Sequence, residues 1–173
     1  MTPPIEPLTL PPSAADLADL AALMRDVVEG GASIGFMLPL GEDEVKAFWS
    51  GVFAGAASGQ RLVFVARDAG RIVGSVQLAL APQPNGRHRA ELQKLLVHRS
   101  HRRRGLGAAL IRATEVAALA HGRPLIVLDS GASGNALGLY DRAGYTRVGV
   151  IPRFAANPDG SLIDTVVYYK ELP

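Results

Sequence analysis

Three arginines followed by a spaced pair of glycines, Arg102-Arg103-Arg104-Gly105-Leu106-Gly107, have the types and spacing in this chain that most directly suggest chemistry. Glycines at the start of a helix let backbone N–H groups approach a ligand, and the helix dipole there favours an anion. Neighbouring arginines add charge-assisted donors suited to phosphate. The six residues follow a strand-like run containing Leu92, Leu95, Leu96 and Val97, and they precede an apolar helical stretch over 108–120. Segment 91–107 therefore reads as a polyphosphate cradle fed by a strand; a basic, solvated loop capped by glycine is the alternative. The pattern lacks the Gly-Lys-Ser/Thr ending of a P-loop, and Leu110 occupies the third glycine position of a dinucleotide fingerprint.

Composition narrows the functions further. A chain of 173 residues, 48% hydrophobic, fits one domain over 1–173 with a substantial core. A net charge of +2 gives no electrostatic reason for a nucleic-acid partner, and no aromatic residues interleave the basic run at 99–104. Without cysteine there is neither a disulfide framework nor a thiol nucleophile. No signal-peptide pattern and no uncharged apolar stretch of membrane-spanning length stands out, so a cytoplasmic protein with no membrane partner is expected. No histidine or carboxylate cluster has metal-ligand spacing, so no metal is expected.

The elements that must position the cradle follow from periodicity. Residues 1–12 carry prolines around Ile5, Leu8 and Leu10 and supply an edge strand at most. Ser13 is a good N-cap with Asp16 at the capping-box position. The helix it opens carries Leu17, Leu20, Met24, Val27 and Val28, and Gly30-Gly31 ends it. The apolar loop 32–40, with Ser33, Phe36 and Met37, either packs or lines a pocket. A second helix over 42–57 presents Val45, Phe48, Trp49 and Val52 on one face. Strands 61–67, 72–80 and 89–97 form an antiparallel meander. After the cradle, Leu106, Leu110, Ala113 and Ala117 make the helical stripe, and His121-Gly122 with Pro124 ends it. The apolar run 125–128 is a buried strand, and strand, helix and strand make a right-handed crossover between parallel strands. Asp129 lies at the carboxyl end of that strand, where open α/β sheets place ligands. A short helix over 134–143, a strand over 145–151, the turn Asn157-Pro158-Asp159-Gly160 and a strand over 163–170 complete the chain. The expected fold is α/β (α+β), a mixed, mostly antiparallel central sheet flanked by helices on both faces.

This order of elements, together with Arg102-x-x-Gly105-x-Gly107, resembles the GNAT superfamily of acetyltransferases, whose signature is Arg/Gln-x-x-Gly-x-Gly/Ala. Leu139-Tyr140-Asp141-Arg142-Ala143-Gly144-Tyr145 is similar to their Leu/Phe-Tyr-x-x-x-Gly-Phe/Tyr motif. Several further pieces resemble acetyltransferases of the tabtoxin-resistance type, which acetylate a β-lactam amino-acid toxin. They include Gly30-Gly31-Ala32-Ser33-Ile34-Gly35-Phe36-Met37, Arg89-Ala90-Glu91-Leu92-Gln93-Lys94-Leu95 and Pro158-Asp159-Gly160. Glu29, Val150, Arg153 and Phe154 stand where that narrower resemblance expects other residues.

The resemblance implies transfer of an acetyl group from acetyl-coenzyme A to the amine of a small molecule, by a monomer or homodimer. It implies that Arg102, Arg103, Arg104, Gly105, Leu106, Gly107 and Ala108 hold the coenzyme pyrophosphate. The backbone of Leu95, Leu96 and Val97 would run beside the pantetheine arm. Ser133 falls where many relatives carry a pantetheine-contacting asparagine, with Asn135 two residues on. Tyr140 matches the tyrosine that protonates the departing thiolate. Its phenol, with a pKa of about 10, is a weaker acid than a thiol at about 8.5, so a hydrogen bond alone is the other way it could act. Asp129 would accept the amine proton or cap the next helix. Glu91 stands where several relatives carry their base; a salt bridge to an arginine is its other reading. Strict alternation puts Glu91 on one face with Gln93, Leu95 and Val97 unless a bulge intervenes. Ser33 and Phe36 in the apolar loop are candidate acceptor contacts, and Arg153 a candidate cation for an acceptor carboxylate. A non-catalytic acetyl-coenzyme A sensor is the competing function.

Overall fold

The computed structural model describes residues 3–132 and 136–173. One seven-stranded sheet carries the chain, in the order β1-β2-β3-β4-β5-β7-β6. The strands are β1 (Ile5–Pro7), β2 (Arg61–Asp68), β3 (Arg71–Leu80), β4 (Arg89–Val97), β5 (Leu125–Gly131), β6 (Thr146–Ala156) and β7 (Leu162–Glu171). Neighbours pair antiparallel except β4 and β5, which run parallel. That one parallel pair follows from the crossover through α3 (Leu106–Ala120), because a tight turn cannot return a strand in the same direction.

Helices cover both faces. On one face, Leu106, Leu110, Ile111 and Ala118 of α3 and Tyr140 of α4 (Ala136–Arg142) pack on Val76, Leu78, Leu92, Ile126, Leu128 and Val166. On the other, Leu20, Leu23, Met24 and Val27 of α1 (Ala14–Glu29) join Val45, Trp49 and Val52 of α2 (Glu42–Ala57) over Val63, Val65, Ile72 and Leu96. The meander, the crossover and the two-sided cover are those expected. The buried stripe of α3 is rotated from the expected one: Ile111 and Thr114 are buried rather than Ala113, with the Thr114 hydroxyl donating to Ile111 O at 2.7 Å. On α1, Leu17 is exposed and Leu23 takes its place in the core. The last helix is described over Ala136–Arg142, the expected first residues 134 and 135 lying outside the described residues, and β6 runs on to Ala156, five residues past the expected end.

The capping box at Ser13 forms as expected, Asp16 N–H donating to Ser13 Oγ at 3.1 Å. Three aspartates on α1 then fasten the helix to the sheet and its loops. Asp16 meets Arg67 Nη1 at 2.7 Å. Asp26 accepts from the backbone of Arg99, described below. Asp19, almost fully buried, accepts from Arg71 Nε at 2.6 Å and from Ile72 N–H at 2.9 Å. Burial opposes the charge of Asp19, but those hydrogen bonds outweigh it and hold the carboxyl below its usual value. Removing it orphans the buried Ile72 N–H, so Asp19→Ala should cost about 1–3 kcal/mol at neutral pH. Urea unfolding with an unchanged m value measures this. A depressed folded-state pKa stabilises only above the unfolded value, so the gap between wild type and variant should close as pH falls below about 4.

Candidate active site

The site begins with a fault in β4. Lys94 has φ 49°. The register against β3 slips there, Gln77 facing Gln93 while Ser75 faces Leu96. One extra residue in a strand reverses the sides of every residue beyond it. Ala90 and Leu92 point into the α3 face, but beyond the bulge Leu96 points into the α1/α2 face, and Leu95 and Val97 pack toward α3. Glu91 therefore does not share a face with Leu95 and Val97, because the bulge lies between them.

The same bulge parts the two parallel strands. β4 and β5 pair only from Arg89–Leu125 to Glu91–Val127. Beyond those three pairs they separate and leave a gap. His98 N–H donates to Val73 O at 2.9 Å, so alternate residues of this segment bond β3. The backbone groups of Leu95 and Val97 thus face the gap, where Arg102 Nε reaches Val97 O at 3.1 Å. A strand edge left open inside a fold can pair with an extended, amide-bearing ligand as with an added strand.

At the α3 end of the gap lies the basic loop. Asp26 holds its start, accepting from Arg99 N–H at 2.9 Å and Arg99 Nε at 2.8 Å, with His98 Nε2 at 3.4 Å. Asp68 meets His101 Nε2 at 2.9 Å. Arg103 and Gly105 both take the left-handed conformation, with φ 61° and 78°. The first intrahelical bond runs from Ala109 N–H to Gly105 O at 3.0 Å, so the N–H groups of Leu106, Gly107 and Ala108 precede the helical ladder. Leu106 is buried in the core, so it can serve an anion only through its backbone. Arg102, Arg103 and Arg104 are exposed around this turn. Gly107 has a different constraint from the one its place in the cradle suggests. A Cβ there would lie 2.9 Å from Leu139 Cδ2, so the glycine lets α4 approach the first turn of α3.

Tyr140 is buried in the core on the α3 face, its ring 5.6 Å from that of Tyr168 and 6.0 Å from that of Tyr145. Among the described residues its hydroxyl has no hydrogen-bond partner. Burial first, then the charge of Asp129, pushes its phenol far above the usual value. Asp129 follows Val127 by two residues and so shares the face on which Glu91 sits across the register. Its side chain reaches solvent at the mouth of the gap. Partial desolvation and the neighbouring Glu91 raise its carboxyl, and Lys94 offsets part of that rise. Arg61 of β2 closes the group, donating Nη1 to Gln93 Oε1 at 2.8 Å and to Gln77 Oε1.

The other candidates lie at the rim. The Ser33 hydroxyl donates to Ala156 O at 2.8 Å, and Leu38 N–H donates to Pro158 O at 3.0 Å. These bonds fasten the apolar loop 32–40 to the β6–β7 turn, so Ser33 acts as a clip. Phe36 packs edge-on against Phe48, ring centroids 5.1 Å apart, which makes it a wall. Arg153 sits in an exposed bulge of β6 with φ 53°, its backbone N–H donating to Asp164 Oδ1 at 2.8 Å. Ser133 and Asn135 lie outside the described residues. No group of three or more potential metal-ligating side chains occurs among the described residues, and no helix among them is long and apolar enough to cross a membrane.

The model of the acetyltransferase (GNAT) family matches residues 35–145, which runs from the loop before α2 to just past α4 and includes both the bulge and the cradle. The chain belongs to this acetyltransferase family. Solved structures share the GNAT fold. An N-acetyltransferase from Staphylococcus aureus Mu50 is 20% identical with a TM-score of 0.81, each chain covering 100% of the other. YncA of Salmonella typhimurium, in a structure with its cofactor acetyl-coenzyme A, is 20% identical with a TM-score of 0.79, over 100% of this chain and 95% of that one. A ribosomal-protein-alanine N-acetyltransferase from Brucella melitensis is 22% identical with a TM-score of 0.77, over 98% and 99%.

Sequence reasoning passed over several residues of this GNAT site. Lys94 reads from the sequence as a strand residue within the resembling piece 89–95, since a lysine carries no signal of left-handed backbone. Arg61, Gln77 and Gln93 share the face of Glu91 only once the register is known. Leu139 came within a motif but gave no sign of meeting Gly107. Gly107→Val should weaken acetyl-coenzyme A binding by about 10-fold or more, about 1.4 kcal/mol. Leu139→Ala in the same chain should restore part of it. Calorimetry on the folded variants measures both, and unchanged affinity in Gly107→Val would remove this turn from the coenzyme site. A second outcome concerns the base. A carboxylate base gives a rate that rises with pH through its pKa. Asp129→Asn should therefore slow turnover most above that limb, where the wild-type carboxylate is ionised, and Glu91→Gln should move the acid limb to lower pH by removing the charge that helps raise Asp129. A pH–rate profile in which only Glu91→Gln loses activity assigns the base to Glu91.

Proposed function

We propose that this chain is an acetyl-coenzyme A-dependent N-acetyltransferase acting on a small amine of amino-acid type, including lactam-like toxins of the tabtoxin class. One observation carries the acceptor side of the reading. The two segments that bear the tabtoxin-resistance resemblance, 30–37 and 158–160, lie far apart in sequence, and the hydrogen bond from the N–H of Leu38, the residue just after the first, to Pro158 O ties them together. They close over the face that bears Glu91 and Asp129.

The chemistry follows from the placement of the chain's own groups. The open edge at Leu95 and Val97 supplies backbone partners for an amide-bearing arm, and the N–H groups of Leu106, Gly107 and Ala108 with the arginines suit a pyrophosphate. Asp129 or Glu91, directly or through a water, takes the proton that the amine must lose. As the nitrogen bonds to the thioester carbon and the carbon–sulfur bond breaks, the Tyr140 hydroxyl faces the departing sulfur. A buried phenol is a poor acid, so Tyr140 acts first as a hydrogen-bond donor. The same burial disfavours a free thiolate and so eases completion of the proton transfer. The apolar roof of Phe36 and the closed loop–turn contact narrow the acceptor side, which disfavours long peptides. The face also presents cations beside its carboxylates, a poor match for a polycationic aminoglycoside.

Tyr140→Phe keeps the ring contacts and removes the hydroxyl, so kcat should fall by roughly 10²-fold while acetyl-coenzyme A binding persists. Turnover at the wild-type rate across pH would reduce Tyr140 to packing. A coenzyme-release assay across amino acids, lactam analogues, polyamines, aminoglycosides and peptides tests the acceptor class. The expected result is the highest kcat/KM on an amino-acid-like amine. A higher value on a peptide or aminoglycoside overturns the class, and binding without turnover on any amine leaves a sensor.

A further inference from the structure

Resting on that reading of the acceptor, we propose that Lys94 selects carboxylate-bearing acceptors, its ammonium seating the carboxylate while Glu91 and Asp129 hold the amine of the same molecule. Lys94 is the bulge residue itself. A non-glycine residue in left-handed backbone is strained, and such strain gathers at functional positions. Glycine or asparagine would meet the backbone demand more cheaply, so the lysine side chain needs a reason of its own.

Its surroundings supply one. Lys94 is half-buried, and its Nζ lies under the apolar loop, 3.5 Å from where a Cβ on Gly35 would stand. Among the described residues it forms no salt bridge and no hydrogen bond. The charged groups around it are Asp129 from β5, Glu91 from β4 and Arg61 from β2. Burial lowers the Lys94 pKa, Asp129 and Glu91 oppose that, and Arg61 adds to it; the net direction is down. A partly desolvated ammonium without a direct anionic partner is an unfavourable arrangement, which a bound carboxylate would relieve. Arg61 is already committed to Gln77 and Gln93, so Lys94 is the cation left to do this. The face thus offers two carboxylates beside two cations, the charge pattern of a zwitterion's complement. Arg153, the cation suggested by sequence, stands instead on an exposed bulge of β6.

The test compares free amino acids with their α-carboxamides as acceptors, which keeps the amine and side chain and removes the negative charge. The wild-type panel alone decides whether amino-acid-like amines are acceptors. The variant decides Lys94. Wild type should prefer the acid over its carboxamide by roughly 10-fold or more in kcat/KM, the scale of one charge-assisted contact. Lys94→Met should bring that ratio close to one, with the loss in the KM for the acid, and Lys94→Arg should keep the preference. Lys94→Asn, which tolerates left-handed backbone, gives a second neutral variant should the Met protein fold poorly. A ratio unchanged in the neutral variants overturns the proposal. So does an equal fall in kcat on both members of each pair, which would place Lys94 in proton transfer instead.

Discussion

The separation of β4 from β5 is the constraint on which the site depends. A parallel pair inside a sheet normally satisfies its backbone groups along its whole length, and here the pairing stops after Glu91–Val127. The bulge at Lys94 is the cause, since one extra residue bends a strand and ends its ladder. Both faces of the sheet remain packed, β3 on one side and β7 on the other keep their pairing, and the gap leaves open backbone groups in the interior of the sheet. Evidence of what belongs there is the polarity of the opening: amide groups at Leu95 and Val97, then N–H groups at the start of α3. The helix reaches that position because the crossover must bring the chain back parallel, and its first turn is held by Gly105 in left-handed geometry and by Asp26 gripping Arg99.

Two environments meet across the gap. On the α3 side, Tyr140 is enclosed by aromatic rings, and burial keeps its phenol protonated far beyond neutral pH. On the α1/α2 side, Glu91, Asp129, Lys94 and Arg61 form a polar face in which burial, then the like charge of Glu91, raises the Asp129 carboxyl and burial lowers the Lys94 amine. Burial raises the Tyr140 phenol on one side, and the Asp129 carboxyl is raised on the other while its side chain stays open to solvent; in the proposed reaction the first would donate a hydrogen bond to the departing sulfur and the second would accept the amine proton. The roof over the polar face is fixed by contacts between segments distant in sequence, so its shape is set by tertiary structure.

What the sequence made legible was local. The basic run and the Gly105-x-Gly107 pair mark the turn into α3 because only a few backbone geometries use glycine that way. Ser13 with Asp16 marks the start of α1, and the strand–helix–strand order implies the parallel pair. The bulge was not legible: a lysine in left-handed backbone leaves no compositional trace, and without it alternation puts Glu91 on the wrong face relative to Leu95. The rotated stripe of α3 has a similar origin, since alanines on two sides of a helix are equally acceptable and only the sheet decides which are buried. The contact between Gly107 and Leu139, and the hydrogen bonds from Arg61 to Gln77 and Gln93, join elements whose proximity no local pattern encodes.

Backbone amide exchange with and without acetyl-coenzyme A addresses the central claim most directly, because it reads the open edge itself. With the ligand bound, exchange should slow at Leu95 and Val97 and at the first turn of α3, Leu106 to Ala108, while amides of the distant edge strand β6 keep their rates. Calorimetric binding of acetyl-coenzyme A with no protection at Leu95 and Val97 would contradict the account, because the coenzyme would then lie outside the gap between β4 and β5.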